Sequence, residues 1–188
     1  MTVMLAGLAL WWLGHLFPIF LPGARANAVL RLGEGPYKGV FALVAILAVV
    51  LMVIGYRQAG FDNIWFPPAW TVHLNNLLML LAVFLMGARQ AKSGAKHYVR
   101  HPMLSGVALW AVAHLLVNGD LASVVLFGGL LLWALVAMWG SSARDGAWVR
   151  PPKGTTAGLV RHVGISVAVF VVIVLIHGPL LGVRPIPG

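Results

Sequence analysis

Six long runs of apolar residues constrain this chain more than any other feature. A membrane-spanning helix needs about 20 mostly apolar residues, and such runs lie at 3–21, 39–56, 69–87, 102–117, 121–139 and 163–181. Charged residues are 9% of the chain, whereas a soluble domain needs about a quarter to cover its surface. The sequence therefore predicts an all-α, polytopic bundle of about six transmembrane helices, with residues 1–188 forming a single membrane domain.

The basic residues are distributed unevenly between the connecting segments. Eleven Lys and Arg residues follow the first, third and fifth runs, and only Arg57 and Arg184 lie on the opposite side. Because basic loops stay in the cytoplasm, we expect a multi-pass protein of the bacterial inner membrane with both termini on the outer side. The segment at 22–38 is then a cytoplasmic loop. We expect contact with the lipid bilayer and no nucleic-acid binding, since the chain has no basic soluble module.

The types of side chain present narrow the possible chemistry. The chain has no Cys, which excludes disulfides, thiolate ligation of haem and cysteine-bound clusters. Its four acidic residues all lie outside the apolar runs, so paired carboxylates at membrane depth are excluded too. Four histidines lie within the runs: His15, His73, His114 and His177.

Histidine is therefore the candidate for function. A polar group at membrane depth is energetically unfavourable, so its presence there indicates a role. One neutral imidazole can serve as a hydrogen bond between helices. Four in a small bundle without an acid suggest ligation of a metal or of haem. From the residues alone, haem, copper or zinc, and purely structural histidines all remain open.

Two of these histidines share a helix face with aromatic and small residues. Four-residue spacing places a set of residues on one face of the fourth run: Gly106, Trp110, His114 and Asn118. Trp11 precedes His15 by the same spacing. Small residues beside an inward histidine suit a planar macrocycle, and they suit close packing of helices equally well.

Four short segments carry a family resemblance: GHLFP at 14–18, RLGEGPYKG at 31–39, RHPM at 100–103 and AHLLVNGD at 113–120. Between about residue 5 and residue 140 the chain resembles the NnrU family. Those bacterial membrane proteins are associated with denitrification and nitric oxide metabolism, and they are related to plant 15-cis-zeta-carotene isomerase, a haem b enzyme. The resemblance implies that His15 and His114 are the axial ligands of a haem b iron. A cysteine near the second ligand of the plant enzyme has no counterpart around Ala111.

The depth of each histidine in the membrane, counted in residues along its helix, suggests other candidates for the second haem ligand besides His15. His114 lies about 6 Å from the outer turn, whereas His15 lies about 20 Å from an outer N terminus, at 1.5 Å per residue. His73 and His177 count to the outer third of the membrane, like His114, so either could replace His15. The family position favours His15. The expected haem-binding residues are thus the two ligands together with Trp11, Trp110, Gly106, Asn118 and His73.

Three classes of function follow. The first is a haem b protein of nitric oxide metabolism that acts on a small gas or a lipid-soluble substrate, with cis–trans isomerisation of a carotenoid-like lipid as its most specific form. The second is a non-catalytic membrane assembly or regulatory partner. The third is a membrane methyltransferase, because residues 100–102 also begin a motif of isoprenylcysteine carboxyl methyltransferases. Those enzymes carry a later glutamate, and no glutamate follows His114 here.

The remaining polar residues are expected to have structural roles. Glu34 should pair with Arg31 or Lys38, and His101 should cap the fourth helix. His97 and His162 are expected at the membrane interface.

Overall fold

Eight α-helices account for most of the protein in the computed structural model, which describes residues 1–88, 91–183 and 185. In chain order they are α1 (Thr2–Phe20), α2 (Pro22–Leu32), α3 (Glu34–Arg57), α4 (Thr71–Gly87), α5 (Ala95–Tyr98), α6 (Pro102–Leu115), α7 (Leu121–Asp145) and α8 (Thr156–Leu181). The predicted all-α fold is confirmed.

Among the described residues, four helices are long and apolar enough to cross a membrane: α1, α3, α7 and α8. They contain 19 to 26 residues, and a rise of about 1.5 Å per residue makes each of them about 30 Å long or longer, which matches the hydrocarbon core. Helices α4 and α6 are apolar but shorter, with 17 and 14 residues. The chain is therefore a membrane protein, and the predicted count of about six corresponds to four long and two short apolar helices.

Several helices extend beyond the predicted runs. Helix α3 begins at Glu34 rather than at residue 39, and α8 begins at Thr156 rather than at residue 163. The N-cap residue of α3 is Gly33, which has a φ of 85°. The N-cap residue of α8 is Thr155, whose side chain accepts a hydrogen bond from the Gly158 N–H. Such caps let a helix run through polar residues that hydropathy places outside a span.

The prediction of a loop at 22–38 is wrong, because α2 occupies most of it. Pro22 is the first residue of α2, a position where its missing N–H costs no hydrogen bond. All residues of α2 are at least partly exposed. Glu34, just after α2, forms the predicted ion pair with Lys38, at 2.8 Å.

The chain packs as two compact units that interleave in the sequence. The first unit comprises Met1–Ile64 and Asp120–Gly146, and so contains α1, α2, α3 and α7. The second comprises Trp65–Gly119 and Ala147–Gly188, with α4, α5, α6 and α8. The single membrane domain over 1–188 stays a prediction.

In the first unit, glycine allows α1 and α3 to pack backbone to backbone. A Cβ atom placed on Gly7 would lie 2.7 Å from both the Ala48 carbonyl oxygen and the Met52 nitrogen, so no side chain fits there. Helix α7 joins the pair through the Trp12 indole, whose N–H donates to the Gly129 carbonyl at 3.2 Å. This packing fixes the part of α1 that leads to His15.

The start of α7 is held by a buried carboxylate. Asp120 is 6% exposed and accepts hydrogen bonds from the backbone N–H of Ser123 at 2.9 Å and from its hydroxyl at 2.6 Å. That hydroxyl is also 2.8 Å from the hydroxyl of Tyr56. An N-cap is thus extended into a hydrogen-bonded connection between α3 and α7.

In the second unit, α4 packs against both α6 and α8. A Cβ atom on Gly106 of α6 would lie 2.9 Å from the Ala82 carbonyl oxygen, so α6 and α4 are in close contact there. His162 of α8 stacks on Phe84 of α4, with ring centroids 4.1 Å apart, and its Nδ1 is 2.8 Å from Ser93 Oγ. We expected His162 at the interface; the protein instead encloses it, leaving 4% exposed.

Candidate functional site

His15 lies on α1 with its ring nitrogens in distinct environments. Nδ1 is 3.0 Å from the backbone oxygen of Trp11, one helical turn earlier. Because a carbonyl oxygen only accepts hydrogen bonds, Nδ1 carries the hydrogen and Nε2 carries the lone pair. This is the tautomer in which an imidazole ligates a metal through Nε2 while a backbone carbonyl orients its ring.

Aromatic rings surround the His15 imidazole on several sides. The Trp11 ring stacks on it at 3.8 Å between centroids, and Phe41 and Trp133 present their edges at 5.0 and 5.4 Å. The indole N–H groups of Trp11 and Trp133 are buried and have no acceptor among the described residues. Buried N–H groups are nearly always satisfied, so these two donors beside His15, unpaired within the described part of the chain, are exceptional, although the protein itself encloses both nitrogens.

His114 repeats the His15 arrangement on α6. Its Nδ1 is 2.9 Å from the backbone oxygen of Trp110, which again places the lone pair on Nε2. The Trp110 ring lies 4.8 Å from the imidazole, tilted by 50°. Asn118 donates its side-chain N–H to the His114 carbonyl at 2.8 Å. The same carbonyl also accepts hydrogen bonds from the backbone N–H groups of Val117 and Asn118, at 3.2 and 3.0 Å, so the Asn118 side chain adds a third bond at the end of α6.

A small, mainly apolar cavity with a few polar groups in its wall lies beside His114 in the second unit. Its volume is about 40 Å³, and its walls include His177 of α8 and the amides Asn75 and Asn76 of α4. Asn75 is 8% exposed, and its Oδ1 has no partner among the described residues, while its Nδ2 donates to Asn76 Oδ1 at 3.2 Å. This space suits one or two water-sized molecules and is far too small for a macrocycle.

A protein-family model described as "NnrU protein" matches residues 3–185. The chain belongs to the NnrU family. The match extends beyond the resemblance at 5–140 and includes α8 with His177. No curated protein and no solved structure matches the chain.

The two predicted ligands of this NnrU-family protein lie in different units, His15 in the first and His114 in the second. Of the alternative partners, His177 shares a cavity with His114, whereas His73 is exposed at the start of α4 and does not line that cavity. Gly106 packs against α4, which is the helix-packing alternative of the sequence analysis. The assignment of ligands stays a prediction.

The donor set bears on the choice between haem and other metals. Within the described part of the chain, no three side chains of the His, Cys, Asp and Glu types cluster closely enough to hold a metal ion. Protein zinc sites use three or four such ligands. Axial ligation of haem needs at most two imidazoles, so a haem site does not depend on such a cluster.

Sequence reasoning missed four residues of these sites: Phe41 and Trp133 near His15, and Asn75 and Asn76 near His114. The two amides carried a usable signal, because adjacent polar residues inside an apolar run are as exceptional as the histidines. The aromatic residues carried none, since Phe and Trp are common in any membrane helix.

Proposed function

We propose that this protein binds haem b through His15 and His114 and serves nitric oxide metabolism in the bacterial inner membrane, with both termini on the outer side. The observation that carries the proposal is the matched pair of hydrogen bonds from each Nδ1–H to the carbonyl of a tryptophan four residues earlier. Each bond selects the tautomer and fixes the ring orientation that metal ligation through Nε2 requires.

The surroundings of His15 support a planar cofactor. Trp11, Phe41 and Trp133 provide flat apolar surfaces around the imidazole. When bound, haem supplies an iron that binds diatomic gases or exchanges electrons. The protein's own contribution is to orient the imidazoles and to exclude water.

Two axial imidazoles would leave no open position, so action on a substrate requires one of them to be displaceable. Nitric oxide is the first candidate substrate because the NnrU resemblance associates the family with nitric oxide metabolism; the cavity of about 40 Å³ beside His114 is smaller than haem itself and does not discriminate between the substrates. Isomerisation of a carotenoid-like lipid is the second candidate. Its support is the family resemblance together with the apolar character of the helices.

The test is an absorption spectrum of the detergent-purified protein with a pyridine haemochrome assay. His15→Ala and His114→Ala should each lose haem or shift it to high spin, because the chain has no cysteine to replace the ligand. His97→Ala is the matched control, since His97 lies in α5 and is hydrogen-bonded to the Pro151 carbonyl at 2.7 Å. Its spectrum should equal that of the wild type.

Further variants separate the alternatives. Trp11→Phe keeps the carbonyl that holds Nδ1 and an aromatic ring at this position, so haem should remain ligated. If His177→Ala strips haem and His15→Ala does not, the ligand pair is His114 and His177. A well-folded protein without haem would refute the proposal.

The reaction can be tested on the ferrous protein. Binding of nitric oxide or carbon monoxide with a shift of the Soret band would support gas chemistry, and conversion of a 15-cis carotene in lipid would support isomerisation. Failure of both, with haem present, would favour electron transfer or a partner role.

A further inference from the structure

A larger cavity, of about 350 Å³, lies at the end of the second unit where α5 and the start of α8 meet. Its walls come from two loops, 91–94 and 151–155, and from α5. Three of the four lysines of the chain line it: Lys92, Lys96 and Lys153. We refer to it as the lysine cavity. It shares no lining residue with the small cavity beside His114.

The two loops are held together by their backbones. The Thr155 N–H donates to the Lys92 carbonyl at 3.2 Å. Gly94 has a φ of 77°, and a Cβ atom there would lie 2.5 Å from the Gly154 nitrogen. Two glycines are thus required for the loops to approach each other. The positions from which the lysines project are therefore set by the fold.

Side-chain hydrogen bonds attach these loops to the neighbouring helices. His97 of α5 is bonded to the Pro151 carbonyl at 2.7 Å, and Ser93 is bonded to the buried His162 of α8 at 2.8 Å. Since both loops are anchored, the lysine cavity is a preformed feature and not a chance gap between flexible chains.

The described residues that line the lysine cavity include three lysines and no acidic side chain. The four acidic residues of the chain are Glu34, Asp62, Asp120 and Asp145, and all four belong to the first unit. The cavity also includes Thr155, the N-cap of α8, and the N-terminal end of a long helix carries a partial positive charge. The lysines and the helix end therefore favour an anionic ligand at this site.

We propose that the lysine cavity binds the phosphate group of an anionic ligand. Lysine is a common partner of phosphate in proteins because it provides a compact point charge with three donors. The cavity lies in loops that are predicted to be cytoplasmic. On that side of the membrane, anionic lipid headgroups attract basic side chains. The phosphate can come from a phospholipid headgroup or from a free phosphate in the cytoplasm.

The experiment uses the full chain, purified in a neutral detergent and depleted of lipid. Bound short-chain phosphatidylglycerol is counted by native mass spectrometry, with phosphatidylcholine as the zwitterionic reference, and inorganic phosphate is titrated separately by calorimetry. The triple variant Lys92→Gln, Lys96→Gln and Lys153→Gln should weaken binding of the preferred probe by about a hundredfold, or about fivefold per lysine.

The matched control removes the same charge from the first unit through Arg25→Gln, Arg31→Gln and Lys38→Gln, and it should change the affinity less than about twofold. Ala91→Trp fills the cavity without changing any charge, and it should weaken binding by about tenfold or more. Thermal unfolding of each variant shows whether it is folded. Because Ala91→Trp leaves the lysines intact, it tests the cavity even if the triple variant does not fold.

The results distinguish the sources and can refute the proposal. Preference for phosphatidylglycerol over phosphatidylcholine, without binding of inorganic phosphate, identifies a lipid headgroup. Binding of inorganic phosphate with no preference between the lipids identifies a free phosphate. Equal weakening by the two triple variants, or unchanged binding in Ala91→Trp, would mean diffuse attraction by surface charge and would overturn the proposal. Absence of binding by every probe would overturn it as well.

Discussion

Gly7→Ala tests the close packing of α1 on α3. The added Cβ would lie 2.7 Å from the Ala48 carbonyl oxygen and from the Met52 nitrogen. Ordinary contacts of this kind begin near 3.4 Å, so the helices would have to separate by about 0.7 Å. Overpacking of this kind costs about 1–3 kcal/mol. Replacing a helical glycine by alanine returns up to about 1 kcal/mol through helix propensity.

The net expectation for Gly7→Ala is a loss of about 1–2 kcal/mol of unfolding free energy, which corresponds to a fall of about 2–8 °C in Tm for a chain of this size. Thermal unfolding in detergent can be followed by intrinsic fluorescence, because the chain has eight tryptophans. Gly39→Ala is the matched control on α3, since no atom lies within 4 Å of its Cβ position. That variant should be as stable as the wild type or slightly more stable.

The reasoning would be refuted if Gly7→Ala unfolded at or above the wild-type Tm, because the backbones then could not be in contact. An equal fall in both glycine variants would show that the effect does not come from packing. The outcome also bears on function. His15 lies two turns beyond Gly7 on α1 and contacts Phe41 of α3, so a displaced α1 would move the predicted ligand.

Three further predictions follow from hydrogen bonds and charge. Asp120→Ala should lower the unfolding free energy by about 1–2 kcal/mol, because it removes the N-cap of α7 and its bond to the Ser123 hydroxyl. Asp62→Ala, at an exposed position, is the control and should leave the Tm unchanged. Ser93→Ala and His162→Phe should each cost about 1 kcal/mol and be clearly non-additive when combined. Reporter fusions at the C terminus and within residues 91–93 should report the outer and cytoplasmic compartments respectively.

Each of these has a result that contradicts it. Equal Tm values for the two aspartate variants would exclude a role of the Asp120 cap in stability. Additive effects of Ser93→Ala and His162→Phe would mean that the two side chains do not interact. Reporters in the same compartment would overturn the orientation and the count of spans.

The helices that could be predicted are those whose ends carry a local signal. Pro102 begins α6 and Gly87 ends α4, as the sequence indicated, because proline and glycine are favoured at helix ends. Pro18 and Pro179 nevertheless lie inside α1 and α8. Helix α2 was missed because Arg25 and Arg31 lower its hydropathy, although Pro22 is a typical first residue. Hydropathy identifies apolar segments and not helices as such, so a polar helix such as α2 gives no hydropathy signal.

The same distinction holds for the candidate site. The contacts of Trp11 with His15 and of Trp110 with His114 follow from four-residue spacing on a single helix. The placement of His114 and His177 in the wall of one cavity depends on how α6 and α8 each pack against α4. The arrangement of these helices is determined by packing contacts among many residues, and no local sequence pattern predicts it.

The interleaving of the two units has a consequence for synthesis of the protein. When the ribosome has produced α3, the first unit still lacks α7, which follows only after α4, α5 and α6. The second unit is incomplete until α8 has emerged. Neither unit can therefore complete its packing until most of the chain has been synthesised. The helices made first remain in the bilayer without the helices that they pack against. A nonsense mutation anywhere before residue 156 would leave the second unit without α8, so clones truncated in this way should be cleared by quality-control proteases rather than accumulate as half-proteins.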